Sequence, residues 1–295
     1  MIPYTLLLAD QNGPFQRYLA TARIEIDDHI CQVIHDMEMP RKVEAHVMRG
    51  KRLRGGLTLL VHDALNGNNR MAALDLAAAV EVAHSVGLII DDMLDGDVER
   101  RGETAIHVCI GTSMAMLEAV GLLSVPYALA SRHGRAAVKA LTIVHRQMVN
   151  GAKSELSAHD TSWERYHAIV SQKTGELFAL SAAYGAMAAD AGTNTVEGAR
   201  EYGRRCGITY QVIDDILDMD HVTEARGCSG PMLGRLLRAG GDREIDSSID
   251  ELCRRCVDQA REAAEALLME APEVDPHFHS CLAGAPEEMS RMMLR

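Results

Sequence analysis

Apolar residues recur every three to four positions along almost the whole chain. No run alternates with the period of two that marks a half-buried strand. The pattern predicts helices over 15–38, 41–64, 71–95, 112–131, 134–155, 163–188, 195–220 and 244–270, with a shorter one near 279–294. The breaks carry turn chemistry, at Asn66-Gly67-Asn68-Asn69, His133-Gly134 and Asp190-Ala191-Gly192-Thr193-Asn194. One stretch, 221–243, is rich in glycine without a clear period and reads as an irregular loop region. Nothing resembles a flexible interdomain linker or a solenoid repeat. The expectation is all-α: a single domain over 1–295, an antiparallel helix bundle around a deep central cavity.

Composition agrees with helices. Aromatics are 4% of the chain, against abundant Ala and Leu and 16 Met, so the β-branched and aromatic enrichment of strands is missing. The formal charge of −12 argues against nucleic acid as a partner. No uninterrupted apolar run approaches the roughly 20 residues of a membrane span, so none is expected. The N-terminal MIPYTLLLADQNG lacks a basic region and a cleavage site, so no signal peptide is read there. Seven cysteines are scattered, and Cys253-x-x-Cys256 has no second pair to complete a zinc site. Reduced thiols in a cytoplasmic protein are the expectation.

The chemistry concentrates in one motif that occurs twice. Leu88-Ile89-Ile90 leads directly into Asp91-Asp92-Met93-Leu94-Asp95, and the same D-D-x-L-D returns as Asp214-Asp215-Ile216-Leu217-Asp218. Each copy lies near the C-terminal end of a long predicted helix. Positions i and i+4 share a face, so Asp91 projects with Asp95, and Asp214 with Asp218. Like charges at that spacing repel, and a helix C-terminus disfavours anions further. A cation between them removes both penalties. Oxygen ligands without His or Cys select Mg²⁺ or a similar hard ion, which leaves other positions to water and phosphate. A solvated helix end explains a single such motif well, but two copies after apolar helix are hard to treat as decoration. Cations suited to phosphate accompany them: Lys51, Arg52 and Arg54 upstream, Arg100 and Arg101 after the first motif, and Lys173 in an otherwise apolar helix.

Taken together, from about Gly50 to Asp218, the chain resembles the trans-isoprenyl diphosphate synthases, or polyprenyl synthetases. The similarity lies in Gly50-Lys51-Arg52-Leu53-Arg54, in EVAHSVGLIIDDMLDGDVERRGETAIH, in Lys173-Thr174 and in YQVIDDILD, in the family's order. The resemblance implies an all-helical fold of isoprenoid synthase type, usually a homodimer. It implies head-to-tail transfer of an allylic prenyl diphosphate onto isopentenyl diphosphate. By that resemblance Asp91, Asp92, Asp95, Asp214, Asp215 and Asp218 would bear on Mg²⁺ and the allylic diphosphate. Arg100 and Lys173 would contact the same diphosphate. Lys51, Arg54, His84 and Arg101 would hold isopentenyl diphosphate, and Thr174 and Gln211 would line the reaction centre. Bulky aromatics before the first motif limit product length in the family. Here Val86 and Gly87 are small, which implies geranylgeranyl diphosphate or a longer product, with Met114 and Leu117 as a candidate floor.

The chain departs from the family pattern in places. Gly55 stands where proline is usual, Ile90 where histidine is frequent, and Gly151-Ala152 where Gly-Gln is common. After Asp218 the family has a Gly-Lys, whereas this chain reads Arg226-Gly227-Cys228 and supplies Arg226 or Arg235 as substitutes. Two other readings remain open: a terpene cyclase-like lyase acting on one prenyl diphosphate, and a non-catalytic partner subunit. The cations Lys51, Arg54 and Arg101 speak for a second diphosphate pocket, and all six aspartates speak for a working site.

Overall fold

The computed structural model describes residues 13–35, 37, 39–157, 162–221, 232–239, 245–271 and 274–294. Helix α1 (Pro14–Ile34) starts on a proline, whose fixed φ suits the first helical position. It buries Phe15, Leu19, Ala22, Ile26, Ile30 and Ile34, a single stripe at helical spacing. Its first turn is satisfied from the far end of the chain, where Glu288 accepts from the Gln16 N–H at 2.8 Å.

The expected helix over 41–64 is two helices, α2 (Arg41–Met48) and α3 (Leu53–Ala64). Between them Arg49 is extended and Arg52 is left-handed (φ 56°). The guanidinium of Arg52 explains the break. It donates to the carbonyls of Val47 (3.0 Å) and Met48 (2.8 Å), which the end of α2 leaves unsatisfied, and to Asp27 at 2.6 Å. Arg52 is buried in doing so.

Helix α4 (Arg70–Asp95) matches expectation closely. Asn69 caps its start by accepting from Ala72 N, and Gly96 ends it in the left-handed conformation (φ 70°). A two-stranded antiparallel hairpin follows, β1 (Glu99–Arg100) with β2 (Glu103–Thr104), which the sequence reading did not expect. Arg101 (φ 54°) and Gly102 (φ 74°) form its turn, in the positive-φ conformation that two-residue hairpins require.

Next come α5 (Ile106–Ile110), α6 (Thr112–Leu122) and α7 (Ser124–Ser131). The expected single helix over 112–131 breaks at Leu123 because Pro126 has no N–H to bond Leu122. After α8 (Arg135–Leu156), α9 (Trp163–Val170) runs into a π turn (Ser171–Gly175) and then α10 (Glu176–Ala188). The long α11 (Thr193–His221) carries the second aspartate motif. Helix α12 (Met232–Ala239) corrects the expectation that 221–243 is irregular throughout, and Leu233 and Leu236 bury its apolar face. The remaining positions of that segment beyond His221, Arg226 among them, lie outside the described residues, as does the Arg235 side chain. The chain closes with α13 (Ile245–Met269), α14 (Pro276–Arg291) and a short turn over Met292–Leu294.

Helix α10 is the centre. It is buried nearly all round and packs on α3, α4, α8 and α11. Two glycines allow this closeness. A Cβ on Gly185 would stand 2.3 Å from the Thr58 carbonyl, and one on Gly203 would stand 2.3 Å from that of Phe178. The first contact sets α3 and the second α11 against α10, while α4 packs on both α3 and α10, so both aspartate motifs reach the same cavity.

Arg70–Asp95, and Thr112–Ser131 taken across its break, are long and apolar enough to cross a membrane by length and composition alone. The first is 72% buried inside the fold over its most apolar window, as a core helix is; the second is 39% buried.

Candidate active site

A cavity of about 960 Å³ opens between the C-terminal half of α4 and the end of α11. Asp91 and Asp95 line it from one side, and Asp214, Asp215 and Asp218 from the other. The break before α3 brings in Lys51, the first turn of α3 brings Arg54, and the hairpin brings Arg100 and Arg101. His84 and Gly87 enter from α4, Gln211 from α11, and Lys173 and Thr174 from the π turn. Such turns displace the helix register by one residue and recur at functional sites. Helix α8 approaches the turn closely, since a Cβ on Gly151 would lie 2.7 Å from Lys173 N.

Four of the residues singled out in the sequence are elsewhere. Asp92 is fully buried and turned from the cavity, where its Oδ1 accepts from Arg100 Nε at 2.6 Å. Its Oδ2 has no hydrogen-bond partner. Val86 packs in the core on the opposite side of α4 from the cavity. Met114 and Leu117 are 47% and 66% exposed on α6 and are not part of the cavity wall.

The carboxylates are held in an unfavourable state. Burial pushes Asp214 up to about 6, and the charges of Asp218 and Asp215 add to it. Asp215 is also pushed up to about 6 by burial. Hydrogen bonds from Tyr166 (2.7 Å) and Gln211 (2.8 Å) pull it the other way without prevailing. Asp91 and Asp95 are raised by burial against the opposing charge of Lys173. Burial also works against the charge on Lys173, but Asp91 and Glu155 outweigh it and raise its pKa. Its Nζ donates to Glu155 at 2.6 Å.

A chain of hydrogen bonds ties these groups together. Thr174 donates to the Gln211 side-chain oxygen at 2.7 Å, and the Gln211 amide donates to Asp215. Sequence reasoning missed Tyr166 and Glu155, because neither belongs to a run with a recognisable spacing. It also missed Glu81, which accepts from the Gly55 N–H at 2.7 Å under the cations.

The other end of the cavity is basic. Burial and the Arg101 charge lower the pKa of Lys51, which donates to the Met292 carbonyl. Arg54 stands over the Phe178 ring at 4.3 Å and leaves its Nε unpartnered. Burial and the charges of Arg54 and Arg101 hold His84 well below the ordinary histidine pKa, so its ring is neutral. An acidic pole and a basic pole therefore share one cavity.

Among the described residues no three His, Cys, Asp or Glu side chains already form a metal cage. The facing carboxylates nevertheless fit a hard divalent cation. Their donors are all oxygen, burial and mutual repulsion raise the pKa of several of them, and Mg²⁺-like ions keep water and ligand oxygens in the shell.

The site joins two aspartate motifs, facing each other across one cavity, to a basic end in the same helical bundle. The polyprenyl synthetase family model matches residues 38–229, and the chain belongs to that family. A geranylgeranyl diphosphate synthase of Sulfolobus acidocaldarius is 34% identical over 70% of this chain and 66% of its own length. A short chain isoprenyl diphosphate synthase of Methanocaldococcus jannaschii is 34% identical over 58% of this chain and 54% of its own. The chain thus aligns with between half and two thirds of the length of such curated relatives. Among solved structures, a geranyltranstransferase from Methanosarcina mazei superposes with a TM-score of 0.75 at 26% identity, over 98% of this chain and 100% of that one. A polyprenyl synthase from Caulobacter crescentus, complexed with calcium and isoprenyl diphosphate, shares the fold with a TM-score of 0.77 at 24% identity, over 96% and 99% of the two chains.

Proposed function

We propose that the chain condenses isopentenyl diphosphate head-to-tail with an allylic prenyl diphosphate, giving geranylgeranyl diphosphate or a longer trans-polyprenyl diphosphate. One observation carries this reading: a single cavity holds an acidic pole and a separate cluster of Lys51, Arg54 and Arg101, which suits two diphosphates at once. A lyase acting on one prenyl diphosphate has no use for the second cluster.

Asp91, Asp95, Asp214 and Asp218 would face Mg²⁺ in this scheme, while Asp92 would act from behind through Arg100 and Asp215 would sit at the cavity wall held by Tyr166 and Gln211. Bound Mg²⁺ supplies charge that stabilises the departing diphosphate. Lys173 leaves Glu155 for the allylic diphosphate, and Arg100 contacts it from the hairpin. Lys51, Arg54 and Arg101 orient isopentenyl diphosphate, and neutral His84 donates one hydrogen bond without adding charge. Ionisation of the allylic C–O bond gives a carbocation that the nearby alkene traps, and the proton then lost goes to the released diphosphate. Thr174 and Gln211 hold their polar atoms on each other beside the reacting carbons, and the apolar wall of Leu88 and Leu177 keeps water out.

Incubation with Mg²⁺ and farnesyl diphosphate, with and without isopentenyl diphosphate, tests the proposal by product mass. A longer diphosphate formed only with both substrates is expected; a hydrocarbon from farnesyl diphosphate alone would overturn it. We further propose a homodimer. The exposed Met114, Met116, Leu117 and Val120 of α6 support it, since an isolated chain would leave them in water. Light scattering on the purified protein at twice the mass of one chain is the expected result.

A further inference from the structure

We propose that Met148, on α8, is the residue that stops chain growth, and not the positions next to the first aspartate motif. The proposal rests on the reading of the cavity as a prenyl-transfer site. The depth of the cavity runs away from Asp91 along α4, so Gly87 is one turn deeper and Ala83 two. On α8 the same direction runs from Glu155 through Met148 to Val144, and from Lys173 in the π turn it continues onto α10 through Leu177 to Leu180. Ion pairing of Lys173 with Glu155 sets these helices in register at the mouth. The Tyr184 hydroxyl, which donates to the Ala137 carbonyl at 2.8 Å, sets them in register at the far end.

Gly87, Leu88, Met148 and Leu177 form the apolar wall contributed by α4, α8 and α10, and Leu53 and Met293 also line the cavity. Gly87 offers no obstruction of its own, and among the described residues the contact a Cβ placed there would make beyond its own helix is with the Met148 methyl carbon, at 3.9 Å. The Met148 side chain therefore spans the gap that the glycine leaves between α4 and α8. It is half-buried, lining the cavity on one side and packing against the main core on the other. Behind it the fold is closed: Ala83, Val144, Leu180 and Tyr184 are all within 2% of full burial. A growing tail that has passed Leu88 meets the Met148 thioether first and the packed layer only afterwards. Methionine is unbranched and adaptable, so this stop yields by degrees where an aromatic ring would not.

The test is the mass of the products after removal of the diphosphate, compared for the wild type and for Met148→Ala, Met148→Phe and Leu117→Ala. Met148→Ala is expected to shift the main product up by at least one five-carbon unit, and Met148→Phe to shift it down. Leu117→Ala, on the exposed face of α6, is expected to give the wild-type distribution. Active Met148 variants with the wild-type distribution overturn the proposal, as does a shift confined to Leu117→Ala. If Met148→Ala does not fold, the direction of the Met148→Phe shift decides. A wild type that makes no elongated diphosphate overturns the prenyl-transfer reading itself, so the two failures are distinct.

Discussion

The two aspartate motifs have the same D-D-x-L-D spelling and sit on opposite walls of one cavity, yet they are built differently. On α4 the middle carboxylate, Asp92, is withdrawn into the protein and held by Arg100, which the hairpin carries back to it. On α11 the middle carboxylate, Asp215, stays at the cavity wall with both oxygens occupied, by Tyr166 and by Gln211. One middle aspartate is therefore balanced by a charge and the other by two neutral donors. The outer pairs, Asp91 with Asp95 and Asp214 with Asp218, face the cavity in both cases. The lesson is that the motif fixes a face, while the surrounding elements decide what each carboxylate can do.

The largest effect should come from the outer pairs. Asp91→Ala and Asp214→Ala are each expected to lower kcat by about 10³-fold or more with helical content unchanged by circular dichroism. Near-normal turnover in one of them alone would show that the two walls are not equivalent partners.

Next in size is the charge pair behind α4. Arg100→Ala leaves Asp92 buried without its counter-charge and should destabilise the fold by about 2–3 kcal/mol in urea unfolding. Adding Asp92→Asn should recover much of that loss. If it does not, Arg100 matters through the hairpin and not through Asp92.

The neutral arrangement behind α11 should be more forgiving. Tyr166→Phe removes one donor to Asp215 and is expected to cost about 1 kcal/mol. A loss as large as that for Arg100→Ala would erase the contrast between the walls.

The smallest effect is a pH dependence carried by α11. Asp214 and Asp215 are raised to about 6, above the ordinary aspartate value of 3.8, so between those values the folded protein binds more protons than the unfolded chain. Stability from these groups thus grows as pH falls from 7 toward 4 and is lost as pH rises through 6. In metal-free buffer the Tm is expected to rise by about 2–4 °C between pH 7.5 and 5.5. Asp214→Asn should raise the Tm at pH 7.5 and flatten that slope. A Tm that falls over the same range for both proteins would contradict it.

Much of this was legible in the sequence. The long helices follow from apolar spacing, and the outer aspartates from the i, i+4 rule, because both are local. The break at Arg49–Arg52 was not legible: arginine and lysine are good helix formers, and the chain turns there because the Arg52 guanidinium finds the Val47 and Met48 carbonyls. The hairpin at Glu99–Thr104 was hidden for a similar reason, since four polar strand residues show no alternation. Met148 reads in sequence as one more core methionine. Periodicity identifies the apolar face of α6 but does not say whether it looks into a cavity or out to solvent, so Met114 and Leu117 were placed on the wrong side. Asp92 was grouped with its neighbours because spacing alone does not reveal which of two adjacent carboxylates Arg100 will claim.

The π turn at Ser171–Gly175 bears on how this chain tolerates changes in length. Each residue of an α-helix turns the backbone by about 100°, and a π turn holds one residue more than the helix it interrupts. Tyr166 lies before the turn and reaches α11, while Leu177 and Phe178 lie after it and serve the cavity and the core. Deleting one residue within the turn would let the helix run on smoothly, yet it would swing one of these groups a quarter-circle out of place. Inserting one would do the same in the opposite sense. The five residues act as a phase mark: this region can drift in composition, but its length is locked.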